Sequence, residues 1–401
     1  MTKAGAAFIG GGVVVYLLGG QTQIGWLYLL EAMIWSLVAL SALLPWWSLK
    51  SLRIERHVWL PHTPSGRHDL ALPIEGGTVE VRLKVTNLGR LARYFIKVVE
   101  DCPLEAPESR SKTFLLPTVG ARSDVAFSYT AACYQRGRYT TATAILEAAV
   151  PMGLFVRRRR YDLPLAVTVY PAYHEMKGVP VTSDVWADQG QMVRSTAASD
   201  FYGSREYQYG DPLRHVHWRN TARLGQFVVK EFEEARQGSI AVAFETARDW
   251  GVGKETTVEY AIRIAASLAR HCGDAGRSIS ILAGPAALVQ ASWLEAMDYL
   301  AGLTVGETGS LDELTAAPEA GRTLLAIVPA KETGLILGLQ RLAERERHLV
   351  VMLTEGFAPG EMPGEFASRL SGGNIDLVHC SRGDLKAAVE ALGRSRLFAG
   401  S

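Results

Sequence analysis

Two long apolar stretches at the start of the chain constrain its fold more than any other feature. Residues 4–20 carry no charged side chain, and residues 24–47 carry only one, Glu31. A run of about 20 mostly apolar residues is long enough to cross a bilayer as a helix. A signal peptide is disfavoured because no Ala-x-Ala-like cleavage site follows the first stretch and a second stretch comes at once. We predict a transmembrane helical hairpin over residues 1–50, with spans at about 4–20 and 24–47.

Cations flank the hairpin but are absent from its connecting turn. Lys3 precedes the first span and Lys50 follows the second, beside Trp46 and Trp47. Because cytoplasmic flanks of membrane spans carry the excess of Lys and Arg, both ends of the hairpin are expected in the cytoplasm. The tryptophans are typical of an interfacial anchor. Glu31 is either a protonated or hydrated carboxyl within the hairpin or a contact to another membrane subunit, and both interpretations stay open.

The composition of the 401 residues excludes several classes of protein. Lys and Arg total 42 and Asp and Glu total 41, a net charge of +1 that disfavours a nucleic-acid binder. Hydrophobic residues make up 48%, which disfavours disorder. The four cysteines form no Cys-x-x-Cys pair. A disulfide framework and a zinc knuckle are therefore not expected, and the bulk of the chain is assigned to a reducing compartment.

Between residues 51 and 175 the hydrophobic pattern has a period of two. Apolar and polar residues alternate over 79–86 and again over 124–130, which is typical of half-buried strands. Further strands are predicted at 93–99 and 165–170. With Pro and Gly between the runs, this pattern predicts a β-sandwich-like domain. No catalytic constellation occurs in it, so its role is expected to be structural or interactive.

Four consecutive arginines, Arg157 to Arg160, follow an apolar triplet in this region. Near a membrane anchor they could bind anionic lipid, at about 1 kcal/mol per cation close to the surface. They could equally form a solvated hairpin tip or a strand whose alternate arginines stack on neighbours. Both interpretations stay open at the level of sequence.

The segment from Asp200 to Glu234, here called the signature segment, interleaves arginines with aromatic residues. It follows a polar stretch without periodicity, at about 175–198, that is predicted to be a linker, and the two together make up residues 176–236. A strand is predicted within the segment at 227–229. Side chains of these types dominate interface hot spots and also form internal ion pairs. We therefore expect either a partner-docking surface or an internal clasp. Its members are Gly203, Arg205, Tyr207, Gly210, Asp211, Arg214, Trp218, Thr221 and Arg223.

Two other interpretations of the signature segment are weaker. His215 and His217 alternate as metal ligands on a strand would, but no carboxylate or Cys lies at a complementary spacing. The arginines could bind phosphate or nucleic acid, but Glu231, Glu233 and Glu234 offset their charge. Nucleic acid is not expected as a partner.

The signature residues resemble the defining motif of the bacterial "domain of unknown function 58" family. Runs at 136–139, 151–155 and 167–171 are also similar to its pattern, as are the two leading spans. The resemblance implies a C-terminal half like von Willebrand factor A-type domains and an association with MoxR-class AAA+ ATPases. That association implies a membrane-side adaptor or assembly factor. With the orientation that the flanking cations predict, the expected location is the bacterial inner membrane, with N-terminus and C-terminal domains cytoplasmic.

From residue 237 to 401, continuous apolar strand-like runs alternate with helical patterns. This alternation predicts an α/β domain with a mainly parallel sheet covered on both faces. The expected fold is thus a multidomain, membrane-anchored α+β protein: transmembrane hairpin (1–50), β-sandwich-like domain (51–175), linker and signature segment (176–236), and von Willebrand A-like α/β domain (237–401).

The A-type resemblance implies a place for a divalent metal. A-type domains carry Asp-x-Ser-x-Ser after the first strand, an oxygen cage suited to Mg²⁺. Here the run is Glu245-Thr-Ala-Arg-Asp249, so Ala247 replaces a hydroxyl and Arg248 adds a cation; Glu355 stands at the second acidic turn. We predict a degenerate site at Glu245, Asp249 and Glu355, with weak Mg²⁺ binding as the alternative and no other cofactor.

No catalytic motif is evident in the sequence. It lacks a Gly-x-Ser-x-Gly elbow, a Walker lysine loop and a His-Glu-x-x-His motif. His271–Cys272 and His379–Cys380 are adjacent pairs, whose side chains point apart on a helix or strand. We therefore expect a non-enzymatic adaptor or assembly factor with a protein partner, which the family resemblance implies is a MoxR-class AAA+ ATPase or its client. A divalent-metal-dependent ligand-binding module is the alternative.

Overall fold

The computed structural model describes residues 2–59, 72–176, 193–195, 200–206, 228–234, 240–284, 287–306, 323–344, 348–370 and 375–395. The chain divides into two compact units, Met1–Ala172 and Tyr173–Ser401.

Two helices open the first unit, α1 (Lys3–Thr22) and α2 (Gly25–Lys50). Both are long and apolar enough to cross a membrane, so the predicted pair of apolar helices is confirmed. The helices contact each other along small residues of α1, because Gly5, Gly12 and Gly19 recur every seven residues and are buried. A Cβ on Gly12 would lie 3.1 Å from Ile34 Cγ2. Small residues thus allow the close approach that membrane helix pairs favour.

Two antiparallel sheets follow. The first has the order β1-β2-β5 and the second the order β4-β3-β6-β7. The strands are β1 (Leu52–Trp59), β2 (Thr78–Asn87), β3 (Arg93–Asp101), β4 (Ser111–Val119), β5 (Asp124–Ala132), β6 (Gly137–Ala148) and β7 (Arg157–Val169).

The alternation seen in the sequence directs one face of each sheet into a shared core. Leu83 and Val85 of β2 are fully buried in one cluster with Ile96 of β3 and Leu146 of β6. The strands predicted at 79–86, 93–99 and 124–130 are present, each slightly longer than predicted. The strand predicted at 165–170 begins earlier, at Arg157, so all four arginines lie within β7.

One ion pair is buried within this unit. The guanidinium of Arg56 on β1 donates to the carboxylate of Glu100 on β3, and both side chains are fully buried. The same guanidinium donates to the Tyr129 hydroxyl at 3.3 Å. Burial raises the pKa of Glu100, and the charge of Arg56 opposes that rise. The pair is therefore a desolvated charge contact whose two members depend on each other.

The hairpin is joined tightly to the sheets. Only Ser51 separates the end of α2 from the start of β1, and Leu49 and Leu52 on either side are buried in the sheet core. At the other end, the Thr2 amide donates to the Leu154 carbonyl at 3.0 Å, and the Thr2 hydroxyl caps α1. The helical hairpin and the sheets thus contact each other at this end of the unit.

The second unit begins with a small antiparallel sheet in the region predicted to be a linker. Its order is β8-β10-β9, with β8 (Val193–Ser195), β9 (Asp200–Glu206) and β10 (Val228–Glu234). Val229 pairs with Arg205 and Glu231 with Gly203 across β10 and β9. The signature segment therefore begins and ends in paired strands. The strand predicted at 227–229 overlaps β10, whereas β8 and β9 were not predicted.

The rest of the second unit is an α/β domain. Its strands are β11 (Ile240–Phe244), β12 (Gly251–Val252), β13 (Glu255–Thr256), β14 (Ile279–Leu282), β15 (Leu288–Ala291), β16 (Thr323–Pro329), β17 (His348–Glu355) and β18 (Ile375–Ser381). Its helices are α3 (Thr257–Asp274), α4 (Trp293–Gly302), α5 (Ile336–Ala343), α6 (Pro363–Leu370) and α7 (Leu385–Gly393).

The six main strands form one sheet in the order β15-β14-β11-β16-β17-β18. All neighbours are parallel except β15, an antiparallel edge strand, so the predicted mainly parallel sheet is present. β11 is buried along its whole length. Helices α5 and α6 contribute Leu339 and Phe366 to a core with Ala243 and Val351 of the sheet. In helix α3, Ile262 and Leu268 are also buried.

Candidate functional site: the carboxyl edge of the parallel sheet

The order of the strands defines one crevice in the α/β domain. The chain leaves β11 to reach β14 on one side and later returns to β16 on the other side of β11. Ligands of open α/β sheets bind beyond the carboxyl ends of the strands at such a switch point. The residues that follow β11 and β16 there are 245–249 and 330–332.

Asp249, a predicted metal ligand, serves as a cap for helix α3. Its Oδ1 accepts hydrogen bonds from the Val258 amide at 3.0 Å and from the Thr257 hydroxyl at 3.1 Å. A carboxylate at a helix N-terminus satisfies an otherwise unpaired amide and interacts favourably with the helix dipole. The sequence did not reveal this role, because Asp249 lies too far before α3 to read as an ordinary N-cap.

Arg248 forms an ion pair across the switch point. Its Nη1 lies 2.8 Å from Glu332 Oε1, which follows β16. The guanidinium is largely exposed, and the carboxylate is mostly covered. The cation that the sequence identified as a departure from the A-type pattern is thus directed at a carboxylate within the domain.

Glu355, the third predicted ligand, ends β17 and contacts the neighbouring strand. Its Oε1 accepts from the Ser381 hydroxyl at 2.7 Å, and its Oε2 lies 3.4 Å from His379 Nδ1. Strand β16 lies between β17 and β11, so Glu355 is about 9–10 Å from the line of β11. Glu245 directly follows β11 and is half-buried.

The three predicted ligands do not form one cage. Among the residues that the structure describes, which include all three, no group of three or more His, Cys, Asp or Glu side chains is placed to hold a metal ion. Asp249 is committed to the helix, and Ala247 supplies no oxygen ligand from its side chain. This edge therefore does not fit Mg²⁺ in the way the family resemblance implies, and weak binding stays a hypothesis.

Large apolar side chains are exposed at the same edge. Val252 lies in the hairpin after β11 and is 77% exposed, and Leu337 in the first turn of α5 is 64% exposed. Met362, just before α6, is 58% exposed. Val305 joins them, because the amide of the next residue, Gly306, donates to the Thr246 carbonyl. Sequence periodicity could not identify this surface, because its four residues lie in segments that are far apart in the sequence.

The two Cys–His neighbours identified in the sequence are not activated. Burial raises the pKa of Cys272 to about 12 and that of Cys380 to about 12. A thiol is nucleophilic as its thiolate, so these raised pKa values disfavour both cysteines as nucleophiles.

Only part of the signature segment is described. Gly203 and Arg205 lie on β9, paired with β10. The remaining candidates lie outside the described residues: Tyr207, Gly210, Asp211, Arg214, Trp218, Thr221 and Arg223. Both interpretations of the segment, a docking surface and an internal clasp, therefore stay open.

Three comparisons relate the chain to known proteins. It is 25% identical over 159 residues to the uncharacterized protein YeaD of Bacillus subtilis (strain 168), a match covering 36% of this chain and 37% of that relative. Among solved structures, a CARDB domain from Pyrococcus furiosus is 12% identical, covering 28% of this chain and 91% of its own, with a TM-score of 0.17. A Vibrio harveyi GH20 exo-β-N-acetylglucosaminidase is 10% identical, covering 80% and 59%, with a TM-score of 0.19.

The structural likenesses are too weak to inform fold or function. The family comparison is more specific, because it falls on the signature segment and the first strands of the α/β domain. Residues 203–288 match the family described as protein of unknown function DUF58, which confirms the family recognised from the sequence motif.

Proposed function

We propose that the protein is a membrane-anchored, non-enzymatic adaptor that presents a von Willebrand A-like domain to a protein partner, a MoxR-class AAA+ ATPase or its client. The proposed location is the bacterial inner membrane, with both ends of the hairpin and all later domains in the cytoplasm. The first unit is interpreted as a β-sandwich-like spacer, which the two facing antiparallel sheets support.

The A-like assignment is supported by the topology of the parallel sheet. When the six strands of this sheet are numbered along the chain, their order is 3-2-1-4-5-6, with strand 3 antiparallel at the edge. This is the strand order of doubly wound α/β folds, which place their binding surface at the carboxyl edge.

The observation that carries the proposal is the exposed apolar surface at that edge. Val252, Leu337, Met362 and Val305 are exposed in the segments that follow β11, β16, β17 and α4, whereas Asp249 and Arg248 are held by contacts within the domain. Exposed apolar clusters with a polar surround are typical of protein-interaction sites. An edge of this kind suits a protein partner better than a metal-bound ligand.

The test is co-purification from detergent-solubilised native membranes. We expect an AAA+ ATPase with the intact protein and its loss with Val252→Asp/Met362→Asp, because a charge at the centre of an interface costs about 2 kcal/mol or more, roughly 30-fold in affinity. Leu294→Asp is the matched control: Leu294 is 40% exposed in the first turn of α4, at the opposite edge of the sheet.

Absence of any ATPase with the intact protein would contradict the proposal. Equal capture of the ATPase by Val252→Asp/Met362→Asp and by Leu294→Asp would also contradict it. A folded Arg214→Ala/Trp218→Ala variant separates the two interpretations of the signature segment. Loss of the ATPase from it would identify a docking surface, and retention would identify an internal clasp.

A further inference from the structure

The four arginines of β7 are divided between the two faces of the strand. Side chains alternate along a strand, so Arg157 and Arg159 share one face while Arg158 and Arg160 share the other. Arg158 lies 2.8 Å from Glu147, its cross-strand partner, and Arg160 lies 3.2 Å from Asp162. The charges of one face are therefore matched by carboxylates.

The other face meets the end of the membrane helix. Nη1 of Arg159 lies 3.3 Å from the carbonyl oxygens of both Leu49 and Lys50, in the last turn of α2. The Leu49 carbonyl also accepts from the Ser51 amide, and a cation at the C-terminus of a helix interacts favourably with its last carbonyls and with the helix dipole. Arg159 thus links β7 to the end of α2 by hydrogen bonds. Arg157, two residues earlier on the same face of β7, lies beside that helix end.

A cavity of about 300 Å³ lies at this junction, lined by Trp46, Leu49, Lys50, Arg157, Arg158 and Arg159. The ammonium of Lys50 stands 5.4 Å from the centre of the Trp46 ring, which is half exposed. Within the described part of the chain, no carboxylate lies within 4 Å of Lys50, Arg157 or Arg159. The cavity therefore carries cationic charge that the described protein does not neutralise.

We propose that this cavity binds the headgroup of an anionic phospholipid. Its position fits, because α2 leaves the bilayer at Trp46 and Trp47, the residues that belong at the lipid headgroup level. Its chemistry fits, because guanidinium and ammonium groups bind phosphate oxygens with charge-assisted hydrogen bonds. The half-exposed ring of Trp46 is placed to contact the glycerol and the start of the acyl chains.

The inference rests on the proposed membrane anchor and is independent of the ATPase partner. Alkaline carbonate extraction of native membranes tests the anchor separately. If the intact protein leaves the membrane, the anchor fails; if it stays, the lipid experiment tests the cavity alone.

The experiment is native mass spectrometry of the full chain, delipidated in mild detergent and titrated with phosphatidylglycerol or phosphatidylcholine. We expect saturable binding of one phosphatidylglycerol in preference to phosphatidylcholine. Lys50→Gln/Arg157→Gln is expected to weaken it about 30-fold, because each cation contributes roughly fivefold. Arg82→Gln/Arg110→Gln, which also removes two cations, lies far from the helix ends and is expected to bind normally.

Equal binding of the two lipids, or unchanged binding by Lys50→Gln/Arg157→Gln, would overturn the proposal. A third titration uses inorganic phosphate as competitor. Retention of phosphatidylglycerol in millimolar phosphate supports a lipid site, whereas its complete displacement would identify a site for free phosphate and overturn the lipid assignment.

Discussion

Two surfaces, one in each unit, differ in whether their charged side chains are paired. In the first unit, Arg157 and Arg159 lie beside the end of α2 with no ion-paired carboxylate in the described chain. At the carboxyl edge of the second unit, Asp249 and Arg248 are held within the domain, and the prominent exposed side chains are apolar. The first surface is thus suited to an anion and the second to a protein. The sequence alone does not show which charged side chains are available to bind another molecule, because that depends on the residues they contact in the fold.

The largest effect on stability is expected for the buried pair Arg56–Glu100, which tests whether the two charges of a pair depend on each other. We expect Arg56→Ala to destabilise the first unit by about 3–5 kcal/mol, because Glu100 would be left buried and uncompensated. Hydrogen exchange of the β3 amides measures the loss.

The double variant Arg56→Met/Glu100→Leu is the control for that measurement. It replaces the pair by apolar side chains of comparable volume and is expected to recover most of the loss. A double variant as unstable as Arg56→Ala alone would show that the charge was not the cause.

Asp249 distinguishes a structural carboxylate from a metal ligand. We expect Asp249→Ala to destabilise the first turn of α3 by about 1 kcal/mol, since the Val258 amide loses its acceptor. Faster hydrogen exchange confined to that turn would be the signature. Asp249→Asn keeps a side-chain oxygen and is expected to exchange like the intact protein.

The metal-dependent alternative predicts a different result at the same residue. Calorimetry with Mg²⁺ and Mn²⁺ would then give saturable binding that Asp249→Ala removes. The capping role predicts no such binding, because Oδ1 is already engaged by Thr257 and Val258.

Much of this fold was predictable where the pattern is regular. The apolar stretches of α1 and α2 and the alternation of β2 and β5 each indicated the element that is present. The strand predicted at 227–229 overlaps β10, whereas β8 and β9 were missed because their residues are polar without a clear period, and β15 because it is a short antiparallel edge. Arg248 and Glu332 lie 84 residues apart. Only the fold brings them together.

A pH-dependent effect concerns two histidines of the second unit. Burial lowers the pKa of His271 below its ordinary value of 6.5, and burial, aided by Lys386 and Arg263, does the same for His174. Below pH 6.5 the unfolded chain therefore takes up protons that the folded chain does not. We expect stability to be constant above that pH and to fall below it, by at most about 1.4 kcal/mol per pH unit for each histidine.

Hydrogen exchange of α3 across pH 7.5 to 5 measures this dependence. His271→Leu is expected to flatten the decline while leaving the slope between pH 7.5 and 6.5 unchanged. A decline as steep in the variant as in the intact protein would assign the effect to other groups.

Photocrosslinking in native membranes tests the proposed adaptor function most directly. A photoreactive residue is placed at Val252 on the carboxyl edge or at Leu294 on the opposite edge, and the captured proteins are identified by mass spectrometry. We expect an AAA+ ATPase crosslinked from position 252 and not from position 294. Capture of no ATPase from position 252, or equal capture from both positions, would contradict the assignment of this edge as the docking surface.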